Sequence, residues 1–215
     1  MTIVLGVVRE GFVVLAADSR LTQGRGAEGR MLVVESVDDD VRKLAVDSAR
    51  RVAIASAGDA FSFGPLGETL DELLSSIEGA VDPASVAAAV REQMPEPRRV
   101  SVALASFNGT RAELHRVVLK PDEQDVIGPA SSYVRFLPSI ELCDFYTREP
   151  WIDPSVTTPE DVAAWLVRAV EAGIAEEARL LPEGQRTCGG IVRAVIVDEG
   201  GARFVRPETP AAITR

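Results

Sequence analysis

The sequence predicts an α+β fold in which two sheets lie between layers of helices. Three observations carry this. Short apolar runs come in pairs joined by tight turns; two amphipathic stretches interrupt them; a longer helical stretch precedes the last pair. The order is strands, two helices, strands, helices, strands, which suits sheets stacked in layers and covered by helices. The chain has 215 residues, enough for one domain with a sizeable core, and it is read as a single domain over residues 1–215.

The elements follow in order. Ile3 to Val8 and Phe12 to Ala17 are apolar runs joined at Arg9-Glu10-Gly11, a hairpin signature. Thr22 to Arg30 is a polar stretch containing glycine, and Met31 to Val37, Lys43 to Asp47 and Arg51 to Ser56 are short strand candidates. Leu66, Leu70, Leu73, Leu74 and Ile77 share one helical face. A second helix runs from Ala84 to Met94, with Asp82 as its cap and Pro83 in its first turn. Val100 to Phe107 and Glu113 to Leu119 flank Asn108-Gly109, a strong hairpin turn. Ser131 to Tyr146 is helical in pattern, broken or kinked at Pro138.

Thr158-Pro159-Glu160-Asp161 opens the clearest helix. Threonine caps, proline suits the first turn, and the acids favour the positive end of the helix dipole. Val162, Trp165, Leu166, Ala169, Val170 and Gly173 form its apolar face. Ile191 to Val197 and Ala202 to Val205 make a last hairpin around Glu199-Gly200-Gly201.

Composition removes several function classes. The hydrophobic share of 46% and charged share of 26% fit an ordinary soluble globular chain. A net charge of −10 argues against a nucleic-acid partner and lends nothing to binding of anionic membranes. No apolar run is long enough to span a bilayer, and Arg9 and Glu10 interrupt the first apolar run too early for a secretion signal. The cytoplasm is the expected location. Cys143 and Cys188 have no metal or redox spacing, and a single histidine, His115, leaves little material for zinc or histidine-based triads. No metal and no cofactor is expected.

The start of the chain carries the chemistry. Thr2-Ile-Val-Leu-Gly6, followed by Gly11-Phe-Val-Val-Leu-Ala-Ala-Asp18-Ser-Arg20, resembles the start of proteasome β subunits and their bacterial relatives, with the Thr2-to-Asp18 spacing matching without a gap. Arg42-Lys43-Leu44 looks like the family's catalytic lysine segment. Ala53 to Ala60 looks like the strand and turn that hold its oxyanion donor, and Thr187-Cys-Gly-Gly-Ile191 resembles its late Ser-Gly-Gly segment. The resemblance implies a four-layer αββα sandwich of N-terminal-nucleophile hydrolase type. It also implies a threonine peptidase acting on peptides or unfolded proteins inside a homo-oligomeric ring, and leaves an ATPase partner open.

The implied catalytic residues are Thr2, Asp18 and Lys43, with the Ala57 backbone at the oxyanion. A threonine hydroxyl needs a base, and an N-terminal threonine carries one in its α-amine, of pKa about 8. That amine exists only once Met1 is removed. Lys43 would favour loss of the hydroxyl proton, and Asp18 would hold and orient Lys43. A backbone N–H in the stretch from Ser56 to Gly58 would stabilise the oxyanion, an effect of about 3–4 kcal/mol per donor.

Three positions depart from the family: Pro129 stands where it has a serine near the site, Gln185 where it has an acid, and Cys188 where it has the Ser-Gly-Gly serine. Ser131, Ser132 and Glu183 are candidates to compensate. Two other functions compete: a non-catalytic ring or scaffold subunit on the same fold, and an amidohydrolase acting on a small amide.

Overall fold

The computed structural model describes residues 2–25, 33–58, 66–93, 99–120, 123–148 and 154–205. Met1, Arg30, Met31, Ala60 and Met94, which figure in the readings above, lie outside them. The strands are β1 (Val4–Arg9), β2 (Phe12–Ala17), β3 (Leu21–Arg25), β4 (Val33–Asp38), β5 (Leu44–Asp47), β6 (Val52–Gly58), β7 (Val100–Phe107), β8 (Ala112–Leu119), β9 (Val126–Pro129), β10 (Tyr133–Phe136), β11 (Arg193–Asp198) and β12 (Gly201–Val205). The helices are α1 (Leu66–Ser76), α2 (Pro83–Gln93), α3 (Ile140–Arg148) and α4 (Pro159–Leu180).

Two five-stranded sheets form, in the orders β10-β1-β2-β11-β12 and β5-β6-β7-β8-β9, with β3-β4 as a separate two-stranded ribbon. The pairings within them are antiparallel. The chain is thus a mixed α/β protein with antiparallel sheets.

Apolar runs rather than alternation mark these strands because both of their faces are buried. Along β6, Val52 and Ile54 join α1 and α2 in one cluster, while Ala53 and Ala55 join a second cluster. Along β2, Val14 and Ala16 pack with α3 and α4, while Val13, Leu15 and Ala17 enter that same second cluster. The second cluster therefore draws one face from each sheet. Alanines at positions 17, 53, 55, 103 and 105 keep its side chains small.

Local chemistry sets the boundaries. Gly11 has φ +81° and turns β1 into β2, a conformation other residues resist. Asp82 and Ser85 cap α2 reciprocally: Ser85 N–H donates to Asp82 Oδ1 at 2.8 Å and Asp82 N–H to Ser85 Oγ at 2.9 Å. Thr158 caps α4 by accepting from Asp161 N–H at 3.2 Å.

Two readings need correction. The described part of the polar stretch, Thr22 to Arg25, is strand: β3 pairs with β4, with a register shift between Gln23 and Gly24. Ser131 to Tyr146 is not one helix. Tyr133–Phe136 pairs with β1 as an edge strand, and α3 starts only after Pro138, with Leu142 N–H donating to Ser139 Oγ at 3.3 Å.

Candidate active site

Asp18 lies just past β2, at the end of the β1–β2 ladder. Its N–H donates to the Ile3 carbonyl at 3.3 Å, and Ile3 N–H donates back to Asp18 Oδ1 at 2.9 Å. Oδ2 accepts from Gly189 N–H at 3.1 Å and Arg20 N–H at 3.3 Å. The residue is 1% exposed.

Lys43 comes from the other sheet. It stands just before β5, its carbonyl accepting from Ser56 N–H at 3.1 Å. Its Nζ reaches Asp18 Oδ1 at 3.2 Å and Oδ2 at 3.3 Å, and also donates to the Arg20 carbonyl. The two groups form an ion pair with almost no solvent contact. Burial pushes the Asp18 carboxyl above its ordinary 3.8, opposed by the Lys43 charge and by the N–H groups of Gly189 and Ile3. Burial pulls the Lys43 ammonium below its ordinary 10.5, opposed by the Asp18 charge.

Thr2 is 6% exposed and precedes Ile3, the residue bonded to Asp18. Among the described residues no hydrogen bond links its side chain to Asp18 or Lys43. The structure therefore joins Asp18 to Lys43 and sets Thr2 one residue from that pair. Ala57 lies near the end of β6, half-buried, opposite Ser101 of β7. It follows Ser56, whose N–H is already taken by Lys43.

The loop after Asp18 is fastened. Ser19 Oγ donates to the Asp39 carbonyl and accepts from Ile191 N–H at 2.7 Å. The Arg20 guanidinium, which could have paired with Asp18, binds Asp39 at 2.5 and 2.9 Å instead. Arg193 binds Asp40. The acidic run Asp38 to Asp40 is thereby tied to the site by two of its members. Gly189 supplies its N–H to Asp18 and its carbonyl to the N–H groups of Ser19 and Arg20, at 3.2 and 3.1 Å. Gly190 has φ +72°, and a Cβ there would run into the Asp39 carbonyl and the Ser19 hydroxyl. No other residue fits without displacing that loop.

The departures resolve differently. Cys188 is 2% exposed, and burial pushes its thiol well above 9.0, so it stays protonated. Gln185 lies on a short 3-10 turn, its Oε1 buried without a partner. Pro129 lies across β8 from His115, and the Ser132 carbonyl accepts from Val8 N–H at 3.0 Å. Val8 is six residues along β1 from Thr2, roughly 20 Å at strand spacing. The stretch from Pro129 to Ser132 therefore belongs to the other end of β1. The β1–β10 ladder runs from Val7 opposite Tyr133 to Val4 opposite Phe136. Glu183 is exposed.

Two contributors escaped the sequence reading. Gly189 acts through its backbone, which no side-chain motif announces. Glu177 shows a signal: it falls four residues after Gly173, continuing the apolar face of α4, and is 2% exposed. A carboxylate on an apolar stripe is seldom buried unless it has partners.

Among the described residues no three His, Cys, Asp or Glu side chains group as a metal site, and no helix is long and apolar enough to cross a membrane.

The chain matches no protein-family profile and no curated protein. Among solved structures it is similar to an Anbu (Gly-1) mutant from Hyphomicrobium sp. strain MC1, with a TM-score of 0.64 and 16% sequence identity. The match covers 96% of this chain and 85% of that one. At that identity the likeness is one of fold.

Proposed function

We propose that the protein is a threonine-type peptidase whose nucleophile is Thr2, exposed as the N-terminus by removal of Met1. The observation that carries this is the buried Asp18–Lys43 pair, bonded to the residue beside Thr2. The Thr2 α-amine takes the hydroxyl proton, and the oxygen attacks a peptide carbonyl. The Lys43 charge favours the alkoxide, and a backbone N–H at the end of β6, in the stretch from Ser56 to Gly58, stabilises the oxyanion. The amine then protonates the leaving peptide nitrogen, and water hydrolyses the ester left on Thr2.

The architecture in this proposal is a four-layer αββα sandwich. Its support is the sequence of apolar clusters: α1 and α2 on one sheet, both sheets in a shared cluster, α3 and α4 on the other sheet. The proposed assembly is a homo-oligomeric ring enclosing peptide or unfolded-protein substrates. A monomer by light scattering at micromolar concentration would count against that chamber.

A second reading, a non-catalytic subunit of the same fold, is favoured by the sealed thiol at Cys188 and the unpartnered Gln185 Oε1. Intact mass followed by a threonine-directed electrophile separates the two. The peptidase loses Met1 and takes one adduct on Thr2, which Thr2→Ala abolishes and Thr2→Ser retains. Met1-free protein that never reacts replaces the peptidase reading with the non-catalytic one.

A further inference from the structure

α4 sends one carboxylate into the core. Glu177 is 2% exposed, and among the described residues it has no ion-pair partner. It accepts three hydrogen bonds instead: from Thr187 N–H at 2.9 Å, Thr187 Oγ1 at 2.6 Å and Cys188 N–H at 2.7 Å. Burying a carboxylate is costly, and an apolar residue here would have continued the stripe of α4 at no such cost. Those three bonds fix the direction of the chain at 187–188.

The next peptide group is the one that serves the site. Gly189 N–H donates to Asp18, and the Gly189 carbonyl accepts from Ser19 and Arg20. The Arg20 carbonyl in turn takes Lys43 Nζ. One turn earlier, Gly173 lets α4 approach Ile3: a Cβ there would sit 2.9 Å from Ile3 Cδ1. A single helix face thus touches the neighbour of Thr2 and holds the backbone that holds Asp18.

We infer that Glu177 is a positioning residue for the Thr2 centre: its carboxylate sets the 187–189 backbone, which orients Asp18 and through it Lys43. This rests on the peptidase reading. Glu177→Gln tests it. An amide offers one oxygen to three donors and turns an NH₂ group toward one of them, so the 187–189 backbone shifts and the Gly189 N–H leaves Asp18.

Losing that donor disfavours the charged carboxylate, so the Asp18 ¹³Cγ titration midpoint moves up. Displacement at the site slows electrophile labelling of Met1-free protein about tenfold or more. Glu176→Gln, which removes the half-buried partner of the exposed Arg179 on the same helix, changes neither. If Glu177→Gln does not fold, Thr187→Val removes only the hydroxyl bond and gives smaller changes of the same sign. A folded Glu177→Gln with wild-type labelling and an unmoved Asp18 overturns the inference. A wild type that is never labelled, with Asp18 shifted in Glu177→Gln, sinks the peptidase reading and supports the coupling.

Discussion

Replacing Asp18 by asparagine keeps the shape of the side chain and removes its charge. The Lys43 ammonium, 3% exposed, is then left in the core without a counter-charge. Of the Asp18 acceptors, one oxygen survives, and the new NH₂ faces either the Ile3 N–H or the N–H groups of Gly189 and Arg20. Breaking a buried pair by removing one member costs about 3–5 kcal/mol. For a chain of this size each kcal/mol lowers Tm by about 2–4 °C, so the expected drop is about 6–20 °C.

Lys43→Met retains the length of the stem and leaves Asp18 with three N–H donors, so it costs less, about 2–3 kcal/mol. The double variant removes both charges and falls short of the summed losses by about 1.5–3 kcal/mol. Thermal unfolding at neutral pH of wild type, both single variants and the double variant measures all three numbers. Additive losses, or single variants within about 2 °C of wild type, would show that the two groups are not coupled in a desolvated pair.

Two further perturbations probe the frame. Gly173→Ala places a methyl 2.9 Å from Ile3 Cδ1 and closer still to the Tyr146 hydroxyl, so it costs about 1–3 kcal/mol in urea unfolding. Adding Tyr146→Phe relieves part of that loss; a neutral Gly173→Ala contradicts the close approach of α4 to the N-terminal strand. Asp47 is held below its ordinary 3.8 by the Arg50 N–H at 2.9 Å and the Arg50 guanidinium at 2.6 Å. The unfolded chain therefore takes up this proton first as pH falls. The stabilisation is complete above 3.8 and is lost as pH drops through the lower folded value. Asp47→Asn should flatten that part of the acid limb of urea midpoint against pH; an unchanged limb counts against the bond.

Much of the frame was legible because turns and caps are local. Gly11, Asn108-Gly109 and Thr158-Pro159 act on their own neighbours, and β2 and β7 start and end where their apolar runs do. Asp18 was legible as a candidate through the Thr2-to-Asp18 spacing and Lys43 through the Arg42-Lys43-Leu44 segment, and their contact is a fact of tertiary packing between two sheets. β3 and β10 were not legible because each is an edge or ribbon strand whose identity comes from its partner. The distance of Pro129 from Thr2 has the same origin: it follows from the β8–β9 and β1–β10 pairings, which are non-local. The roles of Gly189 and Glu177 were hidden because one is pure backbone and the other is a charged residue on an apolar stripe.

Cys188 shows how a position can act through its peptide group whatever its side chain is. Its thiol packs in the apolar cluster on the α4 side, and burial, together with the Asp18 and Glu177 charges, pushes it toward the protonated form. Yet its N–H still meets Glu177, and the following N–H still meets Asp18. The segment orients the ion pair through peptide groups, which every non-proline residue supplies. Cys188→Ser would therefore place a hydroxyl here without disturbing the Gly189 contacts. Two glycines must stay beside it, because Gly190 is the point where the loop meets Asp39 and Ser19 with no room for a Cβ. The departure at Cys188 thus bears on the rate of any chemistry at Thr2. It does not bear on whether Asp18 and Lys43 are assembled there.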